Sequence, residues 1–181
     1  MKKTSLPRLI AVAAALALVI CLFLPFASAK DETRELLMVF PNEIMYQKLD
    51  MTAEDMVNVS MLEYAQMYMQ LSDEFHVDEA TGLLCTVLVV MFGLFALLCL
   101  LFAALKKPIP VIIFGILALG VFSLLKFDFT DRGAIPNAAY DWGYAVTVVY
   151  VAIVVLLVAA IWLIVAKNKE KNAQQATATY E

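Results

Sequence analysis

Four long stretches without a charged side chain constrain this chain more than any other feature. They run from Leu9 to Ala29, Ala80 to Leu105, Pro108 to Leu125 and Trp142 to Ala166. A bilayer core of about 30 Å is crossed by roughly 20 apolar residues of helix, so each stretch matches one span. The third, at 18 residues, is the shortest fit. A helix in water needs a polar face, and these stretches have none. With 63% hydrophobic and 17% charged residues, the 181-residue chain departs from soluble composition in the same direction. The expected fold class is an all-α membrane protein. It is read as a four-helix transmembrane bundle, three if residues 1–29 are cleaved, with a small helical extracytoplasmic cap.

Charge sets the expected orientation. Lys2, Lys3, Arg8, Lys106, Lys107, Lys167, Lys169 and Lys171 hold eight of the 13 basic residues, at the N-terminus, the second link and the tail. The segment 30–79 instead carries twelve acids against three bases. The positive-inside bias then places both ends and the Lys106-Lys107 turn in the cytoplasm, with residues 30–79 and 127–141 outside. The style of the leader points to a bacterial cell membrane.

Residues 1–29 read in two ways. A basic start, an apolar stretch broken by Pro25, and Ala27-Ser28-Ala29 make a cleavable signal pattern. The length of the stretch from Leu9 to Leu24 favours retention as a first span. Lys30 onward lies outside in either case.

Within 30–79, Thr52 and Asp55 resemble a capping box, and an amphipathic helix is expected over about 52–71. Met56, Met61, Tyr64, Met67, Tyr68 and Leu71 share its apolar face. The polar face has no Lys or Arg, unlike helices that lie on anionic lipid. That face is therefore the candidate partner-binding surface, or the surface that caps the bundle. The prolines of Lys106-Lys107-Pro108-Ile109-Pro110 suit a helix start and predict an antiparallel hairpin of spans. Residues 126–141 read as a second outer loop, and residues 167–181 as a disordered tail.

Small residues mark the expected helix contacts, because lipid solvates large aliphatic side chains as well as protein does. Ala145, Ala152 and Ala159 recur at heptad spacing in the last span. Gly82, Ala96 and Ala103 share a register in the second, with Thr86 and Gly93 in the adjacent row. A seven-residue repeat predicts a left-handed crossing of about +20°.

Chemistry is sparse. Cys21, Cys85 and Cys99 all lie in apolar stretches at different depths and read as small core residues. No outer Cys pair or C-x-x-C exists, which removes thiol oxidoreductases. The spans hold no Asp, Glu, Lys, Arg or His, which argues against proton-coupled transport and intramembrane hydrolysis. Six of nine methionines fall between Met45 and Met69, but packing is the better reading than Cu(I) binding without Cys or paired His. Asp128 to Gly133 departs from the EF-hand pattern and reads as a turn. His76 reads as a solvated loop residue, and the Asn58-Val59-Ser60 sequon is discounted.

In topology (four spans, cytoplasmic ends, a large first outer loop) the chain resembles claudin-like proteins. It lacks their paired outer-loop cysteines and tryptophan motif, so the resemblance implies an arrangement of spans and no activity. No catalytic, cofactor or metal residues are assigned, and no nucleic-acid partner is expected. The sequence supports a non-enzymatic interaction or accessory protein, with the lipid bilayer and a membrane-protein partner or second copy as its contacts. The alternative is an oligomeric transporter or channel for a neutral or hydrophobic solute.

Overall fold

A computed structural model describes residues 5–70 and 78–178. The chain is mostly helical, and three of its helices, Glu79–Ala104 (α4), Pro108–Asp131 (α5) and the Tyr144–Asn172 part of Tyr144–Ala178 (α6), are long and apolar enough to cross a membrane. The helix Ser5–Ile20 (α1) is equally apolar but shorter, at 16 residues or about 24 Å. These four close a ring in the order α1, α4, α5, α6, which leaves α4 and α6 on a diagonal.

The ring buries its small residues. Along α6, Ala145, Val149, Ala152, Leu156, Ala159, Leu163 and Ala166 are all buried, alternating steps of four and three. That is a 3.5-residue repeat, the pattern of a left-handed bundle. On α4, Gly82, Gly93, Ala96 and Ala103 are buried, and Thr86 is half-buried. Helix α6 neighbours α1 and α5, and on α4 Gly93 lies against Leu22, just past the end of α1. Outward, Leu94, Leu97 and Leu101 of α4 and Val151, Val154 and Val158 of α6 are exposed. Such continuous aliphatic faces are an aggregation hazard in water and cost nothing in hydrocarbon.

One end of the ring is tied by cations. Helix α4 stops in a Schellman motif: Lys106 adopts φ 57°, and the Lys107 amide donates to the Phe102 carbonyl at 2.9 Å. Pro108 then starts α5. The Arg8 guanidinium donates to the Ala104 carbonyl at 2.8 Å, and the Lys167 ammonium donates to the Lys106 carbonyl. Both cations face the negative end of the α4 dipole.

The other end carries a lobe that mixes short strands with helices, so the expected purely helical cap is corrected while the chain as a whole stays mostly helical. Pro25–Ala29 (β1) is the central strand of a sheet ordered β4-β1-β5, with Asn58–Ser60 (β4) and Tyr140–Trp142 (β5) antiparallel to it. Helices α1 and α6 are neighbours, β1 continues from α1 and β5 leads into α6. The strand pair therefore prolongs the helix pair. Gly143 makes the join possible: its amide donates to the Phe26 carbonyl at 2.8 Å, and a Cβ there would lie 2.1 Å from the Pro25 carbonyl oxygen. Asp31–Leu37 (α2) and a hairpin of Ile44–Tyr46 (β2) with Met51–Thr52 (β3) complete the lobe edge.

Three boundaries also differ from expectation. The amphipathic helix starts at Met61, not Thr52, and is Met61–Gln70 (α3). Thr52 and Asp55 do exchange capping bonds, but they cap only a 3₁₀ turn at Asp55–Val57. A second box, with the Ser60 amide donating to Glu63 at 2.7 Å and the Glu63 amide donating to Ser60 at 3.3 Å, starts α3. The residues between, Asn58 to Ser60, are held by the pairing of β4 with β1. Helix α5 continues to Asp131, so the second loop begins at Arg132. It ends in another Schellman motif, with Gly133 at φ 65° and the Ala134 amide donating to the Phe129 carbonyl at 2.9 Å. Helix α6 continues to Ala178, where a disordered tail was expected from 167. Its Lys, Glu, Gln and Ala content is strongly helix-forming.

Candidate functional site

The lobe is fastened to the bundle by an aromatic cluster. Phe26, fully buried in β1, makes edge-on contacts with Tyr64, Phe122, Phe129 and Trp142 at centroid distances of 6.2, 6.2, 5.5 and 5.3 Å. Tyr64 and Tyr68 sit edge-on to Phe129 in turn. Edge-to-face pairs of this kind add about 0.5–1.5 kcal/mol each beyond area burial. The backbone takes part as well: a Cβ at Gly82 would lie 2.8 Å from the Tyr68 carbonyl oxygen, so only glycine lets α3 approach α4 this closely. Beside it, the Thr86 hydroxyl donates to the Gly82 carbonyl at 3.0 Å and reaches the Ala65 carbonyl at 3.4 Å.

Next to this cluster lies a cavity of about 520 Å³. Tyr46, Tyr64, Tyr68 and Tyr140 line it together with Met56 and Met67, and Asp78, Arg132 and Asn137 contribute its polar atoms. Arg132 is held in place by a bidentate pair with Asp128 one helical turn earlier and by a 3.2 Å bond to the Tyr68 hydroxyl. Its guanidinium lies over the rings of Tyr68 and Phe129 at 5.1 and 5.2 Å. Burial alone would lower the Arg132 pKa; the hydrogen bonds to Asp128 and Tyr68 outweigh it, so the group stays cationic. Asn137 shapes the opposite wall, accepting from the Ala139 and Tyr140 amides at 2.8 and 2.7 Å. The Tyr140 hydroxyl donates to the Met56 carbonyl at 2.8 Å. Burial pushes the phenols of Tyr64, Tyr68 and Tyr140 up, so all three remain neutral near pH 7. The cavity thus offers aromatic faces, thioethers and neutral donors around the Arg132–Asp128 ion pair, with the Asp78 carboxylate also on its lining.

The expected binding face is not a free surface. Met56, Met61, Met67 and Tyr68 are buried, and Tyr64 is half-buried within the aromatic cluster. Met61 and Tyr68 belong to the main core, whereas Met56 and Met67 pack with Met51 and Val59 beneath the hairpin. An amphipathic pattern records that a face is covered without naming the cover, and here the cover is the chain itself. Leu71 and His76 lie outside the described residues.

What the lobe does expose is the segment from the end of α2 into β2. Leu36, Val39, Phe40, Ile44 and Met45 are large apolar residues with 74, 60, 66, 51 and 47% of their surface open. Its neighbours are Glu32, Glu35 and Glu43. Periodicity misleads here: Leu36, Val39, Phe40 and Ile44 have the spacing of one helix face, but α2 ends at Leu37, Pro41 follows, and Ile44 belongs to β2. Phe26 was hidden for another reason: its neighbourhood reads as a cleavage region.

Among the described residues, no three His, Cys, Asp or Glu side chains converge as metal ligands. Cys21, Cys85 and Cys99 are buried and unpaired. Asp128 is spent on Arg132, and the stretch Asp128 to Gly133 is a helix end instead of a cation loop. Compared with models of protein families, with curated proteins and with solved structures, the chain matches none of them.

Proposed function

We propose that the chain is a multi-pass protein of the bacterial cell membrane that acts without catalysis, as an interaction or accessory subunit. In this reading α1, α4, α5 and α6 all span the bilayer, with α1 completed by the turn through Phe23. The lysine-rich end and the tail face the cytoplasm, and the sheet lobe stands outside. Residues 1–29 are retained, because cleavage after Ala29 would remove the central strand of the lobe and its Phe26 anchor.

The observation that carries the reading is the uncovered apolar segment from Leu36 to Met45, mounted on a lobe whose own apolar face is already used. The segment 30–79 has twelve acids and three bases. A partner suited to it presents an apolar contact rimmed by Lys or Arg. The filled interior of the ring favours this over solute passage: Leu18, Phe92, Phe122, Leu125, Ile153 and Leu156 are each under 2% exposed.

A photo-crosslinking amino acid at position 40, activated in intact cells, tests the proposal. The expected result is a discrete heterologous adduct, weakened when Glu35 and Glu43 are both changed to Lys. Crosslinks only to lipid, or only to a second copy of this chain, would overturn it.

A further inference from the structure

At the opposite end from the lobe, a cavity of about 360 Å³ opens between the start of α5 and the far part of α6. Lys106, Lys107, Lys167 and Asn168 form its polar side, and Ile109, Pro110 and Ile164 its apolar side. We propose that this cavity holds the headgroup of an anionic glycerophospholipid, with the phosphodiester among the three ammonium groups. The assignment rests on the membrane reading above.

Three independent features point to this ligand. The first is charge: three lysines line one cavity, the Lys167 ammonium also donating to the Lys106 carbonyl, with no acid among the lining residues. Basic pockets between spanning helices at the cytoplasmic face suit phosphate-bearing headgroups. The second is backbone conformation. Lys106 occupies a left-handed position, φ 57°, where helix ends normally use glycine. A strained non-glycine residue there is accounted for if its side chain, and not its backbone, is what the site needs. The third is continuity with the lipid-facing surface. The apolar wall runs on into exposed Ile109 and Ile113 of α5 and exposed Ile161 and Val165 of α6, which are neighbouring helices. Free phosphate has no use for that apolar flank, whereas acyl chains lie along it.

The test uses the full chain purified in detergent. Native mass spectrometry counts retained phosphatidylglycerol against phosphatidylcholine, and thermal midpoints are read with each lipid and with inorganic phosphate. Wild type should retain phosphatidylglycerol preferentially and gain thermal stability only from it. Lys106→Gly suits the left-handed turn, so it keeps the fold while removing one cation. It and Lys107→Gln should each weaken retention about fivefold. Equal retention of the two lipids, unchanged retention in both variants, or an equal shift from inorganic phosphate overturns the assignment. A chain that stays soluble without detergent fails the membrane reading itself, which separates the two outcomes.

Discussion

Gly143 and Phe26 are joined by a 2.8 Å backbone bond at the point where strand β5 becomes helix α6. No side chain fits at Gly143, because Cβ would meet the Pro25 carbonyl oxygen at 2.1 Å. Gly143→Ala should therefore cost about 3 kcal/mol or more, through backbone displacement and not lost contact. Gly120 is the internal control, since nothing lies within 4 Å of its added Cβ. Gly120→Ala should be neutral or stabilising by up to about 1 kcal/mol. Thermal unfolding in detergent of the two variants, compared with wild type, checks both signs.

The strand role of Pro25–Ala29 predicts the length of the mature chain. Intact mass of the purified protein should include the residues before Lys30, and inhibition of signal peptidase should leave that mass unchanged. A mature chain starting at Lys30 would be incompatible with the sheet described here.

Packing inside the ring predicts an asymmetry along α6. Ala159, 2% exposed, sits in the inner row, and Val154 sits on the outer face. Ala159→Leu should lower stability by about 1–3 kcal/mol through overpacking, whereas Val154→Leu should be near neutral. Equal melting midpoints for the two would remove the inner row from the account.

The cavity tyrosines predict the alkaline limit. Tyr64, Tyr68 and Tyr140 all have phenol pKa values above the ordinary 10.0, first because of burial. The folded state then holds these protons more tightly than the unfolded chain does, so their contribution is complete below pH 10 and is lost as pH rises above it. Stability should be flat with respect to these groups through neutrality and should fall above about pH 10, in step with phenolate absorbance near 295 nm.

The sequence made the long helices legible because a charge-free stretch of span length has few alternatives. The Lys106-Lys107 hairpin and the Ala145, Ala152 and Ala159 row followed from proline placement and spacing. The sheet was not legible. Pro25-Phe26-Ala27-Ser28-Ala29 has the composition of a cleavage region, and its partners in β4 and β5 lie 30 or more residues away. The start of α3 was misplaced because Thr52/Asp55 and Ser60/Glu63 both have capping chemistry, and only strand pairing decides between them. The methionine face was read as apolar with either a partner or the bundle as its cover, and only the fold decides for the chain itself. Arg132 was missed as a site residue because its partners Asp128 and Tyr68 come together only when α5 outlasts its apolar stretch.

The short turn from α1 to β1, and the single-residue join of β5 to α6 at Gly143, have a mechanical consequence. Paired strands cannot slide past each other without breaking their ladder, so the two helices are locked in axial register at the sheet end. A load applied to the lobe would travel down α1 and α6 as a single strut. It would emerge at the far end, where Arg8 grips Ala104 and Lys167 grips Lys106.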